Sequence, residues 1–211
     1  IHAMPQTAFL FLGGCLAISA LPPLNGFVSE WMLFQAILLS PDLPQWGLKL
    51  MVPAAGAMLA LGAALSAACF VRAFGITFLG RPRSSAAAAA LETDYLSRAS
   101  MALLLAACLL AGLLPAFVID AIAPVAQAHV GARMPTQGSS AWLSIVPVAA
   151  SRGSYNGLLV FGFIAVSAIA AVQVIHHFAS SALRRGPAWD CGYPEQSARM
   201  QDTAEGFAQP I

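Results

Sequence analysis

Charge is what this sequence has least of. Of 211 residues only 9% are charged while 59% are hydrophobic, whereas an ordinary soluble domain carries roughly 25% charged residues. That shortage excludes an ordinary soluble domain. The net charge is +1, and no cluster of Lys and Arg is present of the kind that tracks phosphates, which excludes a nucleic-acid partner. Lysine is nearly missing altogether, Lys49 being the only one. The four cysteines, Cys15, Cys69, Cys108 and Cys191, are far apart in sequence, and no pair has the spacing of a metal or redox motif. They read as small buried apolar residues, and no iron–sulfur, zinc or other metal site is expected. A phosphate loop, a nucleophile–base arrangement and a cofactor fingerprint are also lacking, so no cofactor and no catalytic centre are expected in this chain. The sequence opens on Ile1 without a charged n-region and cleavage site and stops at "GFAQPI"; a fragment of a longer chain is expected.

What is present is a series of apolar runs, each near the roughly 20 residues that cross a hydrocarbon core of about 30 Å. The fold class is therefore an all-α integral membrane protein, a polytopic bundle of about four spans. Residues 7–21 and 25–40 are two apolar stretches separated by "PPLN". As one straight helix they would measure about 50 Å at 1.5 Å per residue, too long for a single crossing. Pro22 and Pro23 remove two backbone donors, and Leu21 is pushed out of the helical region by the proline that follows it. The first span (about 7–40) is thus expected to be a discontinuous helix broken at Pro22–Pro23.

The segment "SPDLPQWG" reads as a short turn with an interfacial Trp46. The second span, about 51–79, is rich in Gly56, Ala60, Gly62, Ala63, Ala64 and Ala67, small residues that let helices approach closely, and it is expected inside the bundle. In the polar connection 80–98 the alanine run should form a short helix after its serines. A third span is expected at 99–119 with Pro115 near its end, then a long loop at 120–154 with a short apolar patch at 143–150, and a last span at 156–178. Residues 1–178 would form the membrane domain and 179–211 a tail that begins a truncated C-terminal segment. Arg81, Arg83 and Arg98 cluster in the second connection, and Arg184, Arg185 and Arg199 follow the last span, whereas the opposite side holds Lys49, Arg133 and Arg152. By the positive-inside rule the 80–98 loop and the tail are cytoplasmic, in a multi-pass protein of the cell inner membrane.

Glu30 is the one carboxylate well inside an apolar run; Asp42 and Asp120 fall at span ends. An ionisable side chain in a span costs about 2.5–3.5 kcal/mol on insertion scales, so it is expected to face a polar cavity or a partner and to serve function. The break formed by Pro22, Pro23, Asn25 and Gly26 supplies that polarity, because non-helical backbone at membrane depth is tolerated where protein or water satisfies it. Desolvation favours the neutral acid, while the start of the second half-helix, with Asn25 as its cap, favours the anion. A carboxyl group between these influences is suited to passing a proton on. Arg72 and the pair His176 and His177 are possible polar partners, although snorkelling and interfacial placement account for them as well.

"AISALPPLNGFVSEWMLFQAIL" resembles the broken-helix signature of the antiporter-like proton-translocating subunits shared by respiratory complex I, cation/proton antiporters and membrane-bound hydrogenases. In that family a Gly-Phe follows the break and then a Lys or Glu that serves the outer part of a proton path; Glu30 falls on that position. "CFVRAFGITFLGRPRS" is similar to the helix that follows in the same family. The tail "AWDCGYPEQSARMQDTAEGFAQPI" resembles the hydrogenase-4 and formate hydrogenlyase branch, and the likeness covers nearly all of the chain. The family's central lysines lie upstream of this signature, and no intramembrane lysine is present here, so the fragment alone is not expected to transport protons.

The resemblance implies a proton-translocating, non-catalytic subunit of a membrane-bound oxidoreductase complex. Its partners would be other membrane subunits, and its cargo protons or sodium. A non-conducting scaffold that anchors a soluble hydrogenase, and a stand-alone cation/proton antiporter subunit, are the alternatives.

Overall fold

A computed structural model describes residues 3–138, 144–145, 154–178 and 197. Among these residues every regular element is helical, and the fold is the all-α polytopic membrane type that the composition requires. The tail at 179–211, with Cys191, and nearly all of the 143–150 patch lie outside the described residues.

The first crossing is interrupted where the prolines fall. Helix α1 spans Pro5–Ile18 and α2 spans Asn25–Ile37. Pro5 stands in the first turn of α1, where a missing N–H costs nothing. At the other end the N–H groups of Ser19, Ala20 and Leu21 turn back onto the carbonyls of Cys15, Ala17 and Leu16. Ala20 adopts a left-handed conformation (φ +52°) to make this turn, a geometry that costs a non-glycine residue roughly 1–2 kcal/mol. The Pro22–Pro23 peptide that follows is cis.

Helix α3, Trp46–Phe74, continues through one wide π-type turn, Gly75–Leu79, into a rod of 34 residues. It shows how the two halves of the first crossing are arranged. The ring of Phe11 in α1 packs on Phe78 with centroids 5.4 Å apart, and Ile37 in α2 packs over Gly56. Between Gly56 and Phe78 the rod rises about 33 Å, and the helical residues between Phe11 and Ile37 account for about 28 Å of that. The break therefore adds only a few ångströms along the axis. Helices α1 and α2 together form one interrupted rod, antiparallel to α3.

Trp46 begins α3 instead of standing in a turn; the turn before it is a single 3₁₀ loop, Ser40–Asp42. The expectation that α3 lies inside a bundle holds for one face. Gly56 is buried and Ala63 and Ala67 are half-buried, but Ala60, Gly62 and Ala64 are exposed within this chain. In the connection that follows, α4 is one turn, Ser85–Ala88, capped by the Ser84 hydroxyl, which accepts the Ala87 N–H at 3.1 Å.

The third crossing departs from the expected 99–119. Helix α5 spans Tyr95–Leu113, and a separate helix α6 spans Pro115–Val130. Pro115 does not sit near the end of one helix; it starts another, at the first helical position, where its missing N–H and fixed φ cost least. The first part of the expected 120–154 loop, residues 120–130, is thus helix, ended by Gly131 at φ +71°. Helix α7, Gly157–Phe178, is the last element among the described residues. Trp46–Leu79, Tyr95–Leu113 and Gly157–Phe178 are each long and apolar enough to cross a membrane alone; α1 and α2 reach that length only as a pair.

Of the three described cysteines only Cys15 is buried, while Cys69 is exposed and Cys108 intermediate. The buried role expected for them therefore holds at one position within this chain.

Candidate functional site: the helix break and its junction

Glu30 stands about 9 Å beyond Leu24 along α2, at 1.5 Å per residue, and is half-buried. With 100° between successive residues, Gly26, Glu30 and Ile37 lie within about 40° of one another on the helix. The contacts of the other two define this face. A Cβ on Gly26 would collide with the Ala17 carbonyl of α1, and a Cβ on Gly56 of α3 would stand 3.0 Å from Cγ2 of Ile37. Glu30 is thus on the side of α2 that meets α1 and α3. It makes no hydrogen bond or ion pair among the described residues.

Asn25 is not the cap that its sequence position suggests. Leu24 occupies the cap position in an extended conformation, no side chain caps α2, and Asn25 is the first helical residue. The first N–H groups of α2 are consequently left to water or to an anion. Glu30, five residues further on, is beyond the first turn, where the influence of the helix start falls off.

Four chain segments meet at this break. A Cβ added to Gly112, in the last turn of α5, would collide with the Pro23 carbonyl and stand 2.6 Å from the Leu24 carbonyl carbon and 2.8 Å from its Cα. A Cβ added to Gly157, the first residue of α7, would stand 2.5 Å from the Gly112 oxygen and 2.9 Å from the Leu113 oxygen. The second interruption, at Leu114–Pro115, is at the same place. Pro115 has no N–H for the Ala111 carbonyl to accept in the usual helical manner. Uncapped amides at the start of α2 thus gather with carbonyls at the end of α5, so that the junction has polar backbone of both kinds.

The opposite side of α2 is apolar. A cavity of about 440 Å³ opens between α2 and α6, with Asn25, Val28, Ser29 and Met32 on one wall and Ile119 and Ala123 among the residues of the other. That wall of α2 is centred about 150° from Glu30, so the carboxyl group is turned away from the cavity. Below it Val28, Ile119, Ile145 and Tyr155 form the buried cluster. Tyr155 packs on Phe27 at 5.4 Å and on Trp31 at 6.0 Å, and its buried hydroxyl has no hydrogen-bond partner among the described residues.

The other expected polar partners are not brought to Glu30. From the pairing of Ile37 with Gly56, Glu30 is level with about Ala63 of α3, and Arg72 is about 13 Å further along. His176 and His177 are exposed in the last turn of α7, about 28 Å along that helix from the junction. Among the described residues no group of three or more His, Cys, Asp or Glu side chains is placed to hold a metal ion.

Two acidic residues organise the far end of the bundle. Glu92 accepts the Thr7 hydroxyl and the Gln6 N–H, each at 2.6 Å, and so closes the start of α1. The Thr7 hydrogen bond first, then the backbone N–H groups of Gln6 and Thr7 and the charge of Arg98, hold the Glu92 carboxyl below the usual carboxylate range. Asp94 caps α5, accepting the Ser97 hydroxyl at 2.6 Å and its N–H at 3.0 Å, and is lowered likewise by Ser97. Helices α1 and α5 therefore start side by side and run parallel to the break.

Gly112, Gly157 and the second interruption were not singled out from the sequence. "GLLP" at 112–115 carries the signal, a glycine just before a proline within an apolar run. Its contact with the first break is long-range and cannot be read from spacing.

No family model matches the chain. Over 99% of its length it is 36% identical to hydrogenase-4 component B of Escherichia coli (strain K12), aligned over 210 residues. It is 30% identical over 213 residues to formate hydrogenlyase subunit 3 of the same organism, and 34% identical over 214 residues to an uncharacterized protein of Mycobacterium tuberculosis. The chain spans about a third of the length of these curated relatives, 31% of the first and 32% of the other two.

Proposed function

Since this chain is a homologue of hydrogenase-4 component B and formate hydrogenlyase subunit 3, the branch its break and tail resemble, we propose that it is part of a membrane subunit of a hydrogenase-type oxidoreductase complex. In this reading electron transfer in other subunits drives ion movement, protons or sodium, along a buried polar axis, and this chain holds one end of that axis. Glu30 is the proton relay. Pro22, Pro23, Asn25 and Gly26 open the backbone so that water reaches it. In this reading the redox centres belong to other subunits of the complex, and the partners of this chain are other membrane subunits. The protein is multi-pass in the cell inner membrane, with the end that gathers Arg81, Arg83, Arg98 and the start of α1 toward the cytoplasm.

The observation that carries this reading is the placement of Glu30. It is a half-buried carboxyl group on an interrupted apolar crossing, facing two neighbouring helices and without a compensating cation among the described residues. Such a group is expensive to keep in a membrane, and a structural ion pair does not account for it. The apolar exterior supports the subunit part of the reading. On α7 Leu159, Phe163 and Val166 are exposed, a surface suited to lipid or to a neighbouring subunit.

The test is proton movement by the intact complex in sealed vesicles, with the full-length chain carrying Glu30→Gln, normalised to assembled complex. The expected result is normal assembly and hydrogenase turnover with proton movement reduced at least tenfold. Undiminished proton movement at normal assembly would remove the relay role. Loss of assembly in proportion to activity in Glu30→Ala would favour the scaffold reading instead.

A further inference from the structure

Gly112 is a glycine for a reason that its own helix does not supply. It lies in the last turn of α5, in ordinary helical backbone, where alanine would be the better helix former. The position is nonetheless closed to alanine, because the space of a Cβ is taken by Pro23 and Leu24. All three nearest atoms, the Pro23 oxygen and the Leu24 carbonyl carbon and Cα, are backbone, so no rotamer change relieves the overlap. For the Leu24 atoms to reach an ordinary 3.4 Å, the break must retreat by at least about 0.8 Å, and the Pro23 carbonyl by more.

Gly26 of α2 is likewise closed by backbone, that of Ala17 and Ala20, within the broken helix itself, but Gly13 and Gly62 differ in kind. A Cβ on Gly13 meets the ends of the Leu105 side chain, which can turn aside, and a Cβ on Gly62 meets nothing within 4 Å. Gly157 closes the same junction from the other side, with its Cβ position against the Gly112 and Leu113 oxygens. Break, α5 and α7 thus touch backbone to backbone at one point, and α2 with Glu30 starts from it.

We infer that Gly112 is a positioning residue for the proton path: its bare α-carbon seats the Pro23–Leu24 break and so fixes where Glu30 stands against α1 and α3. The inference rests on the reading of Glu30 as a relay. It adds a residue outside the broken helix that acts through the break and not on the proton. A retreat of the break carries the start of α2 with it, and displacements of about 1 Å at a reacting group can cost up to about 100-fold in rate.

The experiment compares Gly112→Ala, Gly62→Ala and Glu30→Gln in the full-length chain within its complex. It reads assembled complex, hydrogenase turnover, and the pH profile of proton movement in vesicles. Gly112→Ala is expected to assemble and to move protons roughly five- to tenfold more slowly, with a shifted pH profile, while Gly62→Ala keeps the wild-type profile. Wild-type rate and profile in assembled Gly112→Ala would overturn the inference, as would a loss that merely tracks complex content with an unchanged profile. If Gly112→Ala does not assemble, Gly157→Ala decides: a smaller loss with a profile shift supports the seat, and an unchanged profile overturns it. Should Glu30→Gln move protons like the wild type while Gly112→Ala does not, the relay assignment falls and Gly112 remains as the seat of the break.

Discussion

Glu92 receives the Thr7 hydroxyl at 2.6 Å, across 85 residues of sequence, and with the Gln6 N–H also at 2.6 Å it closes the start of α1. A side chain of the connection after α3 thereby fixes the end of the broken crossing that lies farthest from the break. Because α5 begins beside it under the Asp94 cap, α1 and α5 start in register. That register brings Gly112 level with Pro23.

The first expected outcome concerns this tie. The Glu92 carboxyl is held below its usual range in the folded protein. Its contribution is therefore complete above the ordinary carboxylate range and is lost as the pH falls through the lowered value. Glu92→Gln should unfold at a lower temperature than the wild type at neutral pH, with the gap closing as the medium is acidified into that range. Thermal unfolding of the purified protein in detergent at a series of pH values checks this, and a gap independent of pH would count against the tie.

Asp120 supplies a second outcome. Its carboxylate accepts the N–H of Gln137 at 2.9 Å and of Gly138 at 2.7 Å, and so pins the segment after α6 to that helix. Arg133 is exposed in the segment between. Asp120→Ala should make trypsin cleave after Arg133 several-fold faster in membranes, because local opening then costs less. Mass spectrometry of the released fragments reads the rate; equal rates would show that the segment is held by other contacts.

The buried hydroxyl of Tyr155 allows a third. A buried polar atom without a partner costs about 1–3 kcal/mol, whereas the ring packs on Phe27 and Trp31. Tyr155→Phe should leave stability unchanged or raise it by about 1 kcal/mol. Tyr155→Ala should lower it by about 3 kcal/mol, since an aromatic ring is lost from a packed cluster. Denaturation of the two variants side by side separates the hydroxyl from the ring, and a clear loss in Tyr155→Phe would mean that the hydroxyl has a partner in the assembled protein.

The broken crossing was legible because its cause is local. Two adjacent prolines remove donors and disfavour the helical conformation before them. The separate helix at Pro115–Val130 was less legible. One proline near the end of an apolar run is compatible with a helix that stops, kinks or restarts, and here Pro115 at the first helical position makes it restart. Asn25 looked like a cap by residue type, but the turn at Ala20–Leu24 places the start of α2 one residue earlier. The role of Gly112 was not legible at all. Within α5 it is one small residue among many, and only the approach of Pro23 and Leu24 from another part of the chain distinguishes it.

The central claim is that Glu30 takes up and gives off a proton while the complex works. Isotope-edited infrared difference spectroscopy of the intact complex during hydrogenase turnover observes this directly, with label confined to glutamate and Glu30→Gln as the reference. The expected result is a protonated-carboxyl band that appears and disappears with turnover in the wild type and is absent in Glu30→Gln. A wild-type complex that turns over and moves protons with no carboxyl change assignable to Glu30 would contradict the account.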